Sequence, residues 1–257
     1  MQKIFVITGA SSELAIECLK REDQKLTDSE QSLAFCQYFS NKDKLLELSQ
    51  ELKHIKLELT QCDLTDANQL SSWISYIKSF EKVPTHILHL AASKFQYMRL
   101  KDFNWDLVSH ELNLQVNSIA QIFKAFLPAM ANAKFGKVVL MLTAYTLGVP
   151  PKFMSNYVIA KYALLGLLKA SASEYAGKGI TINAVSPNMF ESKLLDNLDS
   201  KLIEMNAFDS SMKRNASVEE VVSCIEFLLS EESSYLNGVN LNMTGGDRMY
   251  KFNLTHK

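Results

Sequence analysis

The feature that most restricts the fold is an alternation of short apolar runs with longer amphipathic stretches, kept up nearly from end to end of the 257-residue chain. Apolar runs occupy residues 3–7, 33–36, 55–59, 85–90, 137–142, 180–185 and 238–243. They are short and mostly rich in Val, Ile and Leu, the pattern of strands buried on both faces. Helical patterning fills residues 42–52, 105–130, 156–175 and 218–229. The last of these opens with Ser217 and Glu220 in the arrangement of a capping box. Strands separated by helices of this length pair in parallel through right-handed crossovers. The expected fold is α/β: a single domain over residues 1–257, a doubly wound parallel sheet of about seven strands with helices on both faces. No linker, charge block or repeat divides the chain. Residues 20–31 lack clear patterning and are expected to form a polar, mobile elaboration between the first helix and the second strand.

Bulk properties remove several function classes. The formal net charge is −1, so nothing points to a nucleic-acid or anionic-membrane partner. The four cysteines (Cys18, Cys36, Cys62, Cys224) have no metal spacing and read as reduced thiols. The five histidines include no H-x-x-x-H pair, so no metal is expected. An apolar strand begins within a few residues of the start, with no room for a signal peptide. No run approaches the roughly 18 apolar residues of a membrane span. A cytoplasmic protein acting on a small molecule is the expectation.

Two local patterns carry chemistry. After the first strand comes Thr8-Gly9-Ala10-Ser11-Ser12-Glu13-Leu14-Ala15. Gly9 permits a tight turn, the hydroxyls of Ser11 and Ser12 can donate to a phosphate, and a helix N-terminus favours an anion. Glu13 places a charge near that anion, and a purely structural strand–turn–helix remains the alternative. Farther on, Tyr157 and Lys161 lie four apart on a helix and share one face. A phenol with an ordinary pKa near 10 is a poor acid or base at neutral pH. A neighbouring ammonium is expected to lower that value and suit the phenol to proton transfer.

These segments, with others in order, resemble the short-chain dehydrogenase/reductase family, in particular its 3-oxoacyl-carrier-protein reductase-like branch. The resemblance covers almost the whole chain. Thr8-Gly9-Ala10-Ser11-Ser12 resembles a degenerate T-G-x-x-x-G-x-G fingerprint. Asp63 in Cys62-Asp63-Leu64-Thr65 matches the adenine-binding aspartate, and Leu90-Ala91-Ala92-Ser93 stands where N-N-A-G is usual. Asn117 matches a helix asparagine, and Tyr157-Val158-Ile159-Ala160-Lys161 matches Y-x-x-x-K. Asn183 to Asn188 resembles N-x-x-x-P-G, and Thr244-Gly245-Gly246 resembles a C-terminal D-G-G.

The resemblance implies a Rossmann-like fold and an NAD(P)(H)-dependent oxidoreductase interconverting a carbonyl and an alcohol. Tyr157 would be the general acid/base, Lys161 would bind the nicotinamide ribose, and Asn117 would hold a relay water. Cofactor contacts would come from Gly9, Ser11, Ser12, Leu14, Asp63, Leu64, Ala91, Ala92, Pro187 and Ser192, together with Tyr157 and Lys161. Gln37 and Tyr38 end the second strand without an acid, and Ser40-Asn41-Lys42 follow; this favours NADP over NAD. The family's catalytic serine stands thirteen residues before the tyrosine, where this chain has Ala144. Thr143 or Thr146 would have to supply the hydroxyl. Residues 188–214 would form a substrate lid, made oily by Leu194, Leu195, Leu198, Leu202, Ile203, Met205 and Phe208. That suits an acyl or other apolar substrate, carrier-linked if Lys213-Arg214 attract a carrier. A homodimer or homotetramer is implied. The alternatives are a catalytically weak or inactive partner subunit, and a reductase of sugar or polysaccharide biosynthesis.

Overall fold

The computed structural model describes residues 2–27, 29–190 and 200–247. Seven parallel strands form one sheet in the order β3-β2-β1-β4-β5-β6-β7. They are β1 (Ile4–Thr8), β2 (Ser32–Tyr38), β3 (Ile55–Gln61), β4 (His86–His89), β5 (Gly136–Met141), β6 (Ile180–Pro187) and β7 (Asn240–Met243). The helices are α1 (Glu13–Gln24), α2 (Lys42–Glu51), α3 (Ala67–Lys78), α4 (Trp105–Leu112), α5 (Ser118–Asn132), α6 (Ser155–Glu174), α7 (Ser200–Asp209) and α8 (Val218–Leu229).

Alternate residues of each strand face opposite layers. Val6, Phe35, Ile87 and Val138 pack with Trp73 of α3, Phe126 of α5 and Leu164 of α6. Phe5, Ile7, Leu88 and Val139 pack with Leu19 of α1, Leu45 of α2 and Ile225 of α8. Both faces are thus sealed, as the near-continuous apolar runs required. The capping box of α8 forms as the sequence indicates: Ser217 Oγ accepts from the Glu220 backbone N–H, and the Glu220 side chain accepts from that of Ser217. Among the described residues no helix is long and apolar enough to cross a membrane. None of their His, Cys, Asp and Glu side chains cluster in a way that could hold a metal.

Two expectations fail in instructive ways. The stretch 20–31 is not simply a mobile elaboration, because α1 continues to Gln24 and buries Glu22 and Asp23. The Asp23 carboxylate accepts from the backbone N–H groups of His54 (2.7 Å), Ile55 (2.9 Å) and Lys53, fastening the start of β3 to the end of α1. The long helix from Trp105 is also not uniform. A π-helical turn, Asn113–Asn117, separates α4 from α5. An extra residue in that turn rotates everything before it relative to everything after it.

Candidate active site

Strand order reverses between β1 and β4: the chain builds outward to β3, then crosses back to the other side of β1. Loops leaving neighbouring strands in opposite directions open a crevice at the strands' C-terminal ends. That crevice is a cleft of about 930 Å³. Gly9, Ser11, Ser12, Leu14, Asp63, Leu64, Ala91, Ala92, Thr143, Tyr157, Lys161 and Pro187 all line it. Ser192 lies outside the described residues, as do Leu194, Leu195 and Leu198.

The first turn crosses tightly over the end of β4. Gly9 has φ +65°, and a Cβ there would stand 2.9 Å from the Ala91 nitrogen and from the Leu90 carbonyl carbon. Only glycine meets both demands. Gln37, buried at the end of β2, braces the turn: its Oε1 accepts from the Gly9 N–H at 2.9 Å, and its Nε2 donates to the Cys62 carbonyl at 2.6 Å. Ser12 caps α1 by accepting from the Ala15 N–H, which leaves its hydroxyl proton for a ligand. Asp63 accepts from both the N–H and the hydroxyl of Thr65 through one oxygen, Oδ1. A narrow glycine cradle, a capped helix N-terminus and an acceptor at the end of β3 fit a dinucleotide. Glu13, in the first turn of α1, also lines the cleft.

At the other end of the cleft, Lys161 is 2% exposed and donates to the Met141 carbonyl at 2.7 Å. Its Nζ stands 5.6 Å from the centroid of the Tyr157 ring. Burial lowers the Lys161 pKa to about 8, against an upward pull from Glu111. Tyr157 departs from the expected lowering. Burial pushes its phenol above the ordinary value, the Thr143 hydroxyl pulls it back in part, and Tyr145 and Glu111 add to the rise. In this cleft the loss of solvation outweighs the nearby ammonium, so the phenol holds its proton at neutral pH. The rings of Phe95 and Tyr145 pack on Tyr157 with centroids at 5.0 and 6.4 Å.

The thirteen-residue count lands on Ala144, in the short turn that follows β5. Ala144 is fully buried, whereas Thr143, one residue earlier, lines the cleft together with Tyr157, its hydroxyl accepting from the Tyr145 N–H. Thr146 is buried and donates to the Thr143 carbonyl at 2.8 Å, a purely structural bond. Asn117 is not brought to the site either: it is exposed, and its side chain accepts from Gln121. Gln115, two residues earlier in the π turn, is fully buried instead. Its carbonyl accepts from His89 Nε2 at 3.0 Å, and its Nε2 donates to Glu111 at 2.6 Å. Its Oε1 is a buried acceptor with no donor among the described residues. Gln115 and Glu111 were not singled out from sequence, and Ser93 only as part of the segment that stands where N-N-A-G is usual. The Glu111–Gln115 spacing of four was the available signal, hidden in a helix read as regular.

Of the residues expected to form a lid, those at 191–199 lie outside the described residues. Leu202 and Met205 of α7 line the cleft, while Phe208 turns outward at 74% exposed. Lys213 and Arg214 are engaged internally, the first with the Phe208 carbonyl and the second with both oxygens of Glu220 at 2.7 and 2.6 Å.

Known proteins agree with this architecture. A family model described as enoyl-(acyl carrier protein) reductase matches residues 24–247. A 3-oxoacyl-(acyl-carrier-protein) reductase FabG of Buchnera aphidicola is 26% identical over 247 residues, 95% of this chain and 97% of that protein. Its counterpart from Rickettsia bellii is 27% identical over 80% of this chain and 83% of its own length. Among solved structures, a levodione reductase superposes with a TM-score of 0.84 at 19% identity, over 96% of this chain and 97% of the other. A 3-oxoacyl-(acyl-carrier-protein) reductase from Brucella melitensis gives a TM-score of 0.84 at 18% identity, over 96% and 92%. At those identities the structures speak for the fold alone. The family match, the relatives and the ordered motifs together place the chain in the short-chain dehydrogenase/reductase family of NAD(P)-dependent oxidoreductases, in its 3-oxoacyl-carrier-protein reductase-like branch.

Proposed function

We propose that the protein interconverts a carbonyl and an alcohol with Tyr157 as general acid/base, Thr143 as the hydroxyl donor beside it, and NADP(H) as the preferred cofactor. The observation that supports this is the convergence of Thr143, Tyr157, Lys161 and the Gly9 turn on one cleft. A nicotinamide dinucleotide, when bound, gives or takes the hydride. Thr143 and Tyr157 hold the carbonyl oxygen, and Tyr157 transfers its proton to the oxygen as charge develops there. Lys161, fixed by the Met141 carbonyl, steadies the phenolate that remains. Gln115 takes over the helix position first given to Asn117, with its free Oε1 as the acceptor for a relay water. A Thr143 hydroxyl in the same cleft as the phenol weakens one of the grounds for an inactive partner subunit, the alanine at position 144.

The preference for NADP rests on the rim beyond β2. Phe39, Ser40, Asn41 and Lys44 line the cleft there and bring no carboxylate, and Asp43 is not among the lining residues. Met154, Met189, Phe190, Leu202 and Met205 line the opposite end and suit an acyl substrate. The relatives' names speak of carrier-linked oxoacyl groups, and a thioester of that kind is the substrate proposed, in the cytoplasm. Lys213 and Arg214, committed to partners within the chain, do not recommend themselves as the carrier's docking point. Exposed Trp105, Phe153, Ile159 and Tyr162, on or beside α4 and α6, suit a homodimer or homotetramer. Titration with NADPH and NADH, followed by nicotinamide fluorescence, tests the reading. Tighter binding of NADPH is expected, and no binding of either at near-millimolar concentration would overturn it.

A further inference from the structure

One helix of the cleft wall has no buried face. Leu202, Met205, Asn206 and Asp209 of α7 line the cleft, yet the helix buries none of its ten residues. Such a short helix is marginal by itself, because most helix stability in proteins comes from tertiary packing. Polar contacts at its C-terminal end supply the missing hold. Oδ1 of Asp247 accepts from the backbone N–H of Ser211 at 2.9 Å and from its hydroxyl at 2.8 Å, two residues beyond α7. Oδ2 accepts from Asn188 Nδ2 at 3.1 Å, just past β6. Ser210, which is buried, joins the clamped segment to the helix through its N–H, donated to the Asn206 carbonyl at 2.9 Å. The turn that carries Asp247 is shaped for this approach: Gly245 has φ +60°, and a Cβ there would stand 2.7 Å from Met212 Cγ. Asn188 occupies the place of the glycine in N-x-x-x-P-G, and its amide supplies the donor that the second oxygen of Asp247 takes.

We propose that Asp247 is a positioning residue for the substrate: with Asn188 and Ser211 it forms a clamp that holds α7 in place as an apolar wall of the cleft. This rests on the reading of that cleft as the site of an acyl substrate. Asp247 is not among the lining residues, so it acts through α7. Thr143, Tyr157 and Lys161 stand on the β5–α6 connection and on α6, elements the clamp does not include. Loss of the clamp therefore weakens the hold on the substrate in the ground state and the transition state alike, which raises KM and leaves kcat.

Hydrogen exchange of the full chain, read by mass spectrometry, tests the clamp without a substrate. The α7 amides are protected in the parent protein and exchange about tenfold faster in Asp247→Ala, with α6 and α8 unchanged. Asp247→Asn restores most of that protection: its side-chain carbonyl still accepts from Ser211, and its amide donates to the Asn188 side-chain oxygen once that amide turns over. The proposal is overturned by α7 exchanging as fast as an unfolded peptide in the parent protein, or by unchanged exchange in folded Asp247→Ala. Should Asp247→Ala fail to fold, Asn188→Ala carries the test: α7 exchanges about threefold faster, and no change overturns the proposal. Reduction of acetoacetyl-coenzyme A is followed in parallel. Asp247→Ala raises KM about five- to tenfold, with kcat and the NADPH dissociation constant held within about two-fold. A loss confined to kcat overturns the positioning role. Absence of turnover in the parent protein counts against the proposed function, while the exchange still decides the clamp.

Discussion

At the residue scale the proposed chemistry depends on one hydroxyl. Thr143 follows the end of β5 and lines the cleft together with Tyr157. Its replacement by valine keeps the shape and removes the donor. Thr143→Val is expected to lower kcat by about 100- to 1,000-fold, in the range of a lost oxyanion contact, with KM much less affected. The neighbouring change gives the opposite lesson. Ala144→Ser places a hydroxyl at a fully buried site, so it gains no activity and costs about 1–3 kcal/mol unless the new group finds a partner. Steady-state kinetics and urea unfolding of the two variants separate these outcomes. From sequence the tyrosine, the lysine and the glycine of the first turn were legible, because their types and spacings are dictated by their chemistry. Which hydroxyl beside Ala144 lines the cleft was not legible, because the facing of a loop side chain is set by the path of the loop and not by its distance in sequence from Tyr157. Asn117 was chosen by side-chain type, while the π turn puts Gln115 on the inner side.

Elements are held by polar contacts as much as by apolar faces. The strands were legible because burial on both faces demands unbroken apolar runs, and α8 because its cap is written in Ser217 and Glu220. The end of α1 was not, since Glu22 and Asp23 are charged residues at buried positions. Periodicity cannot anticipate a carboxylate that serves as a cap for another element. Asp23 satisfies three backbone N–H groups of the α2–β3 connection. Asp23→Ala leaves them unmet, and a loss of about 3 kcal/mol in urea unfolding is expected. Asp23→Asn, which keeps an acceptor, should cost well under that. Equal and negligible losses in both would mean that the connection is held by its backbone alone.

The whole molecule is a strand order that leaves one crevice, with the loops after β1 to β6 all contributing to it. That much followed from the alternation of strands and helices. The same burial that shapes the crevice makes the molecule sensitive to acid. His86 and His89 lie in the central sheet, and burial lowers both to about 3. An unfolded histidine takes a proton near pH 6.5, so between pH 6.5 and 3 the unfolded chain binds more protons than the folded one. Stability is therefore full above pH 6.5 and falls as the pH drops, by about 2 kcal/mol per histidine at pH 5. Urea unfolding at pH 7.5 and pH 5 measures the loss, and His86→Gln should remove about half of it.

The central claim is that this cleft transfers a proton through Tyr157 while a bound nicotinamide exchanges hydride. The most direct measurement compares the parent protein with Tyr157→Phe, following NADPH oxidation with acetoacetyl-coenzyme A and NADPH binding by fluorescence in the same samples. The account predicts binding preserved within about two-fold and turnover reduced by about 100- to 10,000-fold. Equal turnover in the two proteins would contradict it.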